Sequence, residues 1–276
     1  MMEDKEMEPL TQENYRTNHD YLSFSTFSKY LECEAAARAH YKEPSSTAML
    51  VGSYVDAHFS GESEQFRGEH PEIYNAKTGE LKADFKQANS IIERIESDEV
   101  FMKAMSGEKQ RIMTGEIDGV PVKIKMDSYI PDKAIVDLKV MKDFKKAWSD
   151  SFRSYTSFVE AFNYDIELAL FQEVVFQNTG KRLPCYLACI TKEDPADVAI
   201  LSFPQDKLDE AMKIFRSHLP RIKGIMEGKI APHRCNTCAY CRKTKKAQII
   251  PYDMVTFNGD QLREEGIECD DPIRKD

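Results

Sequence analysis

Three charged side chains have the types and spacing of a metal-dependent hydrolytic site. Asp137 and Lys139 lie two positions apart at the end of an apolar run, and Asp127 precedes Asp137 by ten positions. Carboxylate oxygens bind hard divalent cations such as Mg²⁺, which keep several of their waters. Such a cation acidifies a bound water and stabilises charge on a phosphate, and a nearby ammonium orients that water. The pattern favours metal-assisted phosphate chemistry; the alternative is a surface hairpin with solvated charges.

Two predicted strands must position these side chains. Residues 120–126 alternate apolar and polar side chains, and residues 134–139 form a second apolar strand after a Pro-Asp turn. Because side chains alternate faces along a strand, Asp137 and Lys139 point the same way. A hairpin of the two strands would bring Asp127 beside them. The sequence therefore predicts that two carboxylates and one ammonium converge on a sheet.

A second cluster near the carboxyl end has the spacing of a metal centre. Cys235, Cys238 and Cys241 form a C-x2-C-x2-C pattern, and three thiols at turn spacing favour zinc or an iron–sulfur cluster. The alternative is a set of ordinary core or surface cysteines. Arg242 and Lys243 follow directly and are candidate phosphate contacts.

Composition limits the class of protein. The chain has 276 residues, which is long enough for one large domain. It contains seven cysteines. Its apolar runs are too short to span a bilayer and its first twelve residues are polar and acidic, so we expect a cytoplasmic protein with reduced thiols. A net charge of −9 argues against a nucleic-acid partner. The candidate site is nevertheless surrounded by basic residues, namely Lys123, Lys125, Lys139, Lys142, Lys145 and Lys146.

The flanking segments indicate helices around this sheet. The predicted helices cover residues 26–33 with Ser25 as N-cap, 48–59, 84–105 with Asp84 as N-cap, 158–176 and 208–226. Further strands are predicted at residues 183–191 and 196–203, and a surface loop at 61–83. Cys185 and Cys189 are predicted to be core thiols of one strand.

The residues around Asp127 and Asp137 resemble a known signature. Met126-Asp127, followed by Ile-Val-Asp-Leu-Lys at residues 135–139, looks like the PD-(D/E)XK nuclease motif, with Met126 where the proline would stand. Within that superfamily, the chain most resembles the phage RecE and lambda-exonuclease-like branch. The resemblance covers residues 21–246. It implies an α/β restriction-endonuclease-like core, a mixed central sheet flanked by helices.

The resemblance also implies further site residues on two helices. The family's Gly-x-x-Val-His helix carries a metal-binding histidine, and Asp56 stands at that position here, which makes it the candidate third ligand ahead of His58. The family's Tyr-x-x-Gln helix is matched by Tyr164, with Glu167 in place of the glutamine. The role of that glutamine then rests on Glu167 or shifts to Gln172.

A resemblance to AddB-type nucleases extends to the cysteines. Those proteins begin the nuclease domain with a Ser-x-Ser motif and have a cysteine about one helix later, which Cys33 matches. They bind a [4Fe-4S] cluster with this early cysteine and three cysteines near the end of the domain. The last gap is longer in those proteins than between Cys238 and Cys241. Zinc, with Cys33 or His233 as the fourth ligand, is the alternative.

These features predict a Mg²⁺- or Mn²⁺-dependent exodeoxyribonuclease. The family resemblance implies 5′-to-3′ resection of duplex ends in phage recombination, a single-strand annealing partner and a homo-oligomeric ring. Asp127, Asp137 and the Leu138 carbonyl would bind the metal, Lys139 would orient water, Glu167 and Tyr164 would shape the phosphate pocket, and Lys142 would contact DNA. The alternative is a non-catalytic DNA-binding or adaptor protein with a zinc knuckle and a decayed nuclease core.

The predicted organisation has three parts. Residues 1–20 are a flexible arm, residues 21–246 are the nuclease domain with its cysteine cluster, and residues 247–276 are an arm with an acidic tail.

Overall fold

A computed structural model of the protein describes residues 8–149, 153–247 and 249. Its strands are β1 (Arg111–Ile117), β2 (Val120–Met126), β3 (Ser128–Ile130), β4 (Ala134–Met141), β5 (Ala147–Ser149), β6 (Ser154–Thr156), β7 (Cys185–Thr191) and β8 (Val198–Ser202). Its helices are α1 (Phe24–Glu32), α2 (Glu34–Arg38), α3 (Thr47–Ser60), α4 (Ser63–Glu69), α5 (Ala83–Glu96), α6 (Glu99–Ala104), α7 (Phe158–Ala161), α8 (Tyr164–Thr179), α9 (Gln205–Met226) and α10 (Ala239–Thr244).

The central sheet is mixed, as predicted. Strands β3, β4, β7 and β8 follow one another in that order, with β4 and β7 parallel and the other neighbours antiparallel. Strands β1 and β2 form an antiparallel hairpin, whose turn residues Asp118 and Gly119 have φ of 50° and 73°, as a two-residue turn of this kind requires. The hairpin expected between residues 120–126 and 134–139 is therefore not observed: β2 pairs with β1, and the partner of β4 across the Pro-Asp turn is the short β3. Only Asp127 separates β2 from β3, so this residue joins the β1–β2 hairpin to the four-stranded sheet.

Helices cover both faces of the sheet. Ile135 of β4 packs in a core shared with α1, α8 and α9, whereas Val136 and Leu138 pack in a second core with α3, α5 and α6. Side chains alternate along a strand, so Asp137 and Lys139 point with Ile135 toward α8. Cys185 and Cys189 belong to the first core, where burial raises the pKa of each thiol to about 12.

Several predicted helix boundaries differ from the structure. Ser23, rather than Ser25, caps α1 by accepting the Thr26 N–H. The predicted helix 84–105 is two helices, because the Asp98 side chain accepts two backbone N–H groups and starts α6. The helix predicted at 158–176 is also divided, since Asn163 has a φ of 57°.

Other differences concern the predicted surface loop and the start of α5. Helix α4 and a 3₁₀ turn at Pro71–Ile73 lie inside the predicted loop 61–83. Lys82, not Asp84, is the N-cap residue of α5. No helix among the described residues is both long and apolar enough to cross a membrane.

Residues 8–20 contact the sheet at several points. The buried Lys123 ammonium donates to the carbonyls of Tyr15 and Asn18, each at 2.6 Å, and the Gln12 amide donates to the Gln110 carbonyl at 2.7 Å. Burying an ammonium is costly unless its donors are satisfied, so Lys123 fixes this segment beside β2. Residues 1–7 and most of the predicted carboxyl-terminal arm, including Cys269, lie outside the described residues.

Candidate active site and cysteine cluster

Lys139 lies between two carboxylates. Its ammonium is 2.7 Å from Asp137 Oδ2 on the same strand and 2.8 Å from Glu167 Oε2 in the first turns of α8. Burial opposes its charge, but Asp137, Glu167 and Asp127 together raise the pKa of Lys139 well above its usual value. The Tyr164 ring lies 4.9 Å from the same ammonium. The structure thus gathers these predicted site residues from β4 and α8.

Two buried oxygens of this group share the Lys139 ammonium as their polar partner. Asp137 Oδ2 and Glu167 Oε2 are each ion-paired with it, and no second donor to either oxygen is found in the described part of the chain. A carboxylate oxygen can accept more than one partner. A hard divalent cation is the ligand that such oxygens prefer, so Asp137 fits the predicted metal site.

Asp127 faces Asp137 from the junction of β2 and β3. Its Oδ2 accepts the Leu138 N–H at 2.8 Å, which fixes the carboxylate against β4. Burial raises the pKa of Asp127 well above its usual range, and the charges of Asp137 and Asp56 raise it further. Three carboxylates that repel one another are an arrangement that a bound cation relieves. The Leu138 carbonyl as a metal ligand remains a prediction.

Asp56 joins this group through a glutamine. The amide of buried Gln110 donates to Asp127 Oδ1 at 3.1 Å and to Asp56 Oδ1 at 3.4 Å. Burial raises the pKa of Asp56, while Lys125 lowers it and Asp137 raises it. His58, the less favoured candidate, instead contacts Glu96 at 2.8 Å. No motif pointed to Gln110, because it lies alone before β1 and acts through distant partners.

Helix α8 supplies Glu167 but not Gln172. The Gln172 amide is buried and donates to the Leu183 carbonyl and to Gln205, so it does not face Lys139. The alternative role for Gln172 is therefore not supported by its position. Burial raises the pKa of Tyr164 to about 12, so its hydroxyl stays protonated at neutral pH and can donate.

The pKa of Glu167 predicts a pH-dependent stability in metal-free protein. Burial raises it from 4.5 to about 7, against the opposing charge of Lys139. The folded state therefore binds this proton more tightly than the unfolded state. The stabilising contribution is complete below pH 4.5 and is lost as the pH rises through about 7. The parent should lose about 3 kcal/mol of unfolding free energy from this group between acidic pH and about pH 8, and Glu167→Gln should not. The stability of the variant relative to the parent should therefore rise by that amount over this pH range.

Urea unfolding in EDTA across that pH range measures this difference. Glu64→Gln, a change at an exposed carboxylate, is the control for loss of a glutamate charge. If the difference in unfolding free energy between Glu167→Gln and the parent stays constant with pH, the raised pKa of Glu167 is contradicted.

The amino-terminal segment also contacts residues near the site, which the sequence did not predict. Burial raises the pKa of Tyr15 above its usual value, and the Glu167 charge adds to this. Burial lowers the pKa of Lys125, and the charge of Arg16 lowers it further. The Tyr15 ring lies 5.6 Å from the Lys125 ammonium. These contacts were not predicted, because the segment has a polar composition typical of an arm.

Four cysteines meet where the two ends of the described fold come together. The Sγ atoms of Cys33, Cys235, Cys238 and Cys241 all lie within 4.8 Å of one another. The Cys33 and Cys241 sulfurs are 3.5 Å apart, and those of Cys235 and Cys241 are 3.9 Å apart. This is the ligand set that the AddB resemblance implied.

Backbone and ionic contacts hold the cluster in place. The Ala35 N–H donates to the His233 carbonyl at 3.0 Å, and the His233 N–H donates to Glu34 Oε2 at 2.7 Å. Arg221 pairs with both oxygens of Glu34, at 2.5 and 2.7 Å. Among the described residues, the group whose spacing could hold a metal ion consists of the four thiols, without His233.

One thiol of the cluster is favoured as a thiolate. Burial opposes the charged form of Cys235, but hydrogen bonds from the Thr237 hydroxyl at 3.5 Å and the Cys238 N–H at 3.3 Å lower its pKa to about 6. Burial instead raises the pKa of Cys238 to about 12 and also raises the pKa of Cys241. Because metal binding requires thiolates, Cys235 is the thiol of this group best prepared to be a ligand.

The predicted DNA-binding residues all lie on the surface. Lys142 follows β4, and Arg242 and Lys243 lie on α10 next to the cysteine cluster; all three are exposed. Their contact with phosphates remains a prediction.

The comparisons with known proteins agree with this geometry. The sequence profile of a family described as a PDDEXK-like domain of unknown function (DUF3799) matches residues 23–244. The chain is similar to a solved structure from Eubacterium rectale described as a "Putative exonuclease", with 43% identity and a TM-score of 0.85, over 90% of this chain and 97% of that chain.

Other comparisons add little. A solved structure of SSO0001 is 13% identical, over 82% of this chain and 96% of that chain, and its TM-score of 0.30 carries no argument. The search of curated proteins found no match.

Proposed function

Since the chain belongs to the PDDEXK-like DUF3799 family, we propose that it is a metal-dependent exonuclease that hydrolyses phosphodiester bonds at duplex DNA ends. Its membership of the PD-(D/E)XK superfamily confirms the resemblance found in the sequence. The observation that carries the proposal is the convergence of Asp127, Asp137 and Glu167 around the Lys139 ammonium. The description of the Eubacterium rectale relative supports exonuclease activity in particular.

Each residue has a defined part in the proposed mechanism. Asp127, Asp137 and the Leu138 carbonyl would hold Mg²⁺ or Mn²⁺, with Asp56 as a further ligand. When bound, the cation lowers the pKa of a water and stabilises the charge that develops on the phosphate. Lys139 orients the attacking water, and Glu167 holds the lysine in place through its 2.8 Å contact. The Tyr164 hydroxyl donates to a phosphate oxygen.

The finer biological role rests on resemblance alone. We propose 5′-to-3′ resection in phage-type recombination, in the cytoplasm, with a single-strand annealing protein as partner and a ring-shaped homo-oligomer as the working form. The exposed Lys142, Arg242 and Lys243 are the proposed phosphate contacts along the duplex.

We also propose that the four cysteines hold a resident metal centre. A [4Fe-4S] cluster and a single zinc ion both match four thiolates. With Zn–S bonds of about 2.3 Å, a tetrahedron places its sulfurs about 3.8 Å apart. Two sulfur pairs of the cluster are 3.5 and 3.9 Å apart, and all four sulfurs lie within 4.8 Å of one another. A cluster of four irons would hold the cysteine sulfurs farther apart, so the spacing supports a single ion. Metal analysis and a visible spectrum of anaerobically purified protein separate the two.

The rival function is a DNA-binding adaptor with a decayed core. The buried and mutually paired Asp137, Lys139 and Glu167 argue against decay, because an unused buried charge cluster is costly to keep.

A cleavage assay on linear and covalently closed circular duplex DNA tests the proposal. With Mg²⁺ or Mn²⁺ we expect the linear form to be degraded to nucleotides and the circular form to persist, and EDTA or Asp137→Asn should stop the reaction. Binding of linear DNA without cleavage under all metal conditions would favour the adaptor. Cutting of the closed circle would contradict an end-dependent enzyme.

A further inference from the structure

Two aromatic side chains are exposed on the β5–β6 hairpin, which lies outside the central sheet. Trp148 is 51% exposed and Tyr155 is 69% exposed. They are direct partners in the antiparallel pairing, so they lie on the same face of the hairpin. Their ring centroids are 5.6 Å apart at an angle of 74°. Large exposed aromatics placed side by side indicate a binding surface.

Two further aromatic pairs lie on the elements between this hairpin and the candidate active site. Phe144, just before β5, stacks on Phe158 of α7 with centroids 5.7 Å apart. At the end of α7, the Phe162 ring is 51% exposed and lies 5.7 Å from the Tyr164 ring, which in turn contacts Lys139. Helix α7 packs against both β5 and β6 and also against α8, which places the hairpin on the side of the fold that carries Tyr164 and Glu167.

The charge around the hairpin favours a nucleic acid as the occupant. Lys142, Lys145 and Lys146 are all exposed in the connection from β4 to β5, and the exposed Arg153 precedes β6. This local concentration of cations contrasts with a net charge of −9 for the whole chain. Aromatic rings combined with cations that follow a phosphate backbone are the pattern of single-strand binding surfaces.

We propose that Trp148, Tyr155 and Phe162 form a stacking surface for unpaired bases of single-stranded DNA. This inference rests on the proposed function, since an exonuclease must separate the strand that it digests from its complement. Unpaired bases expose their π-faces, and rings placed beside the active site would hold them while the basic residues contact the backbone.

Trp148 provides a direct probe, because it is the only tryptophan in the protein. We expect an oligothymidylate added to the full-length protein in EDTA to quench its fluorescence. Tyr155→Ala and Phe162→Ala should each weaken this binding about tenfold, and Tyr155→Phe should restore it. Phe176→Ala is the matched control, since that ring is 36% exposed but lies under Arg182, 4.6 Å from its guanidinium.

The outcomes separate this inference from the proposed enzyme activity. Normal cleavage of linear duplex without quenching, or with equal affinity for all the variants, would overturn the stacking surface and leave the nuclease intact. If the parent protein shows quenching, the two alanine variants weaken it, and the parent cleaves no DNA, the stacking surface is supported and the nuclease function is overturned. A change of oligomeric state in Trp148→Ala with unchanged DNA affinity would identify the hairpin as a protein interface and overturn the inference.

Discussion

Replacing Lys139 with alanine is expected to lower the rate of DNA cleavage by about a thousandfold or more. The ammonium contacts Asp137 at 2.7 Å and Glu167 at 2.8 Å, so its removal takes away the cation that both carboxylates share. Because the proposed phosphate contacts lie elsewhere, the variant should still bind linear duplex DNA. Single-turnover cleavage in Mg²⁺ and a gel-shift titration in EDTA measure the two properties separately.

The matched control for this variant is Lys133→Ala, which removes an exposed lysine from the turn before β4 and should cleave at the parental rate. Removal of Lys139 leaves Asp137 and Glu167 facing each other without their shared cation, so a melting curve must show that the variant is folded. A tenfold loss of rate corresponds to about 1.4 kcal/mol of activation free energy. If folded Lys139→Ala protein cleaves at more than about a tenth of the parental rate, the role assigned to Lys139 is contradicted.

The second large effect is expected from the cysteine cluster. Cys238→Ser removes one of the four proposed metal ligands. It should therefore weaken the proposed metal link between Cys33, at the end of α1, and the cysteines at α10. Loss of a structural metal costs several kcal/mol, so the melting temperature should fall by about 10 °C. Differential scanning calorimetry and metal content measure the change together.

Cys269→Ser is the control for this substitution, because Cys269 lies outside the described residues and was assigned no ligand role. It should leave metal content and melting temperature unchanged. A Cys238→Ser protein that melts with the parent, or a parent that contains neither zinc nor iron after anaerobic purification, would show that the four thiols are not a metal centre.

The sequence was most informative where local periodicity decides geometry. Alternation along β4 was sufficient to place Asp137 and Lys139 on one side. The hairpin expected between residues 120–126 and 134–139 does not form, because β2 pairs with β1 and the short β3 pairs with β4. Asp127 reaches β4 from the junction of β2 and β3 instead. The mixed sheet followed from the same strands and the family signature. These features depend on contacts between residues that are near in sequence, so the chain itself contains the signal.

The rest of the site depends on distant contacts without a periodic signal. Gln110 bridges Asp56 and Asp127 through a single amide, and the buried Lys123 fixes a polar segment more than a hundred positions earlier in the chain. The break at Asn163 came from one residue in a left-handed conformation, which an amphipathic pattern does not reveal. Backbone strain and buried polar partners are therefore what the predictions missed.

The contact between Cys33 and Cys241 joins residues 208 positions apart. During translation, at about 5–20 residues per second, the first of these thiols leaves the ribosome roughly 10–40 s before the last. The nascent chain therefore carries Cys33 as a lone thiol while most of the sheet is being synthesised. If the proposed metal centre is present, its loading is one of the final steps of biogenesis, and a cell short of that metal would accumulate chains that are fully synthesised but lack it.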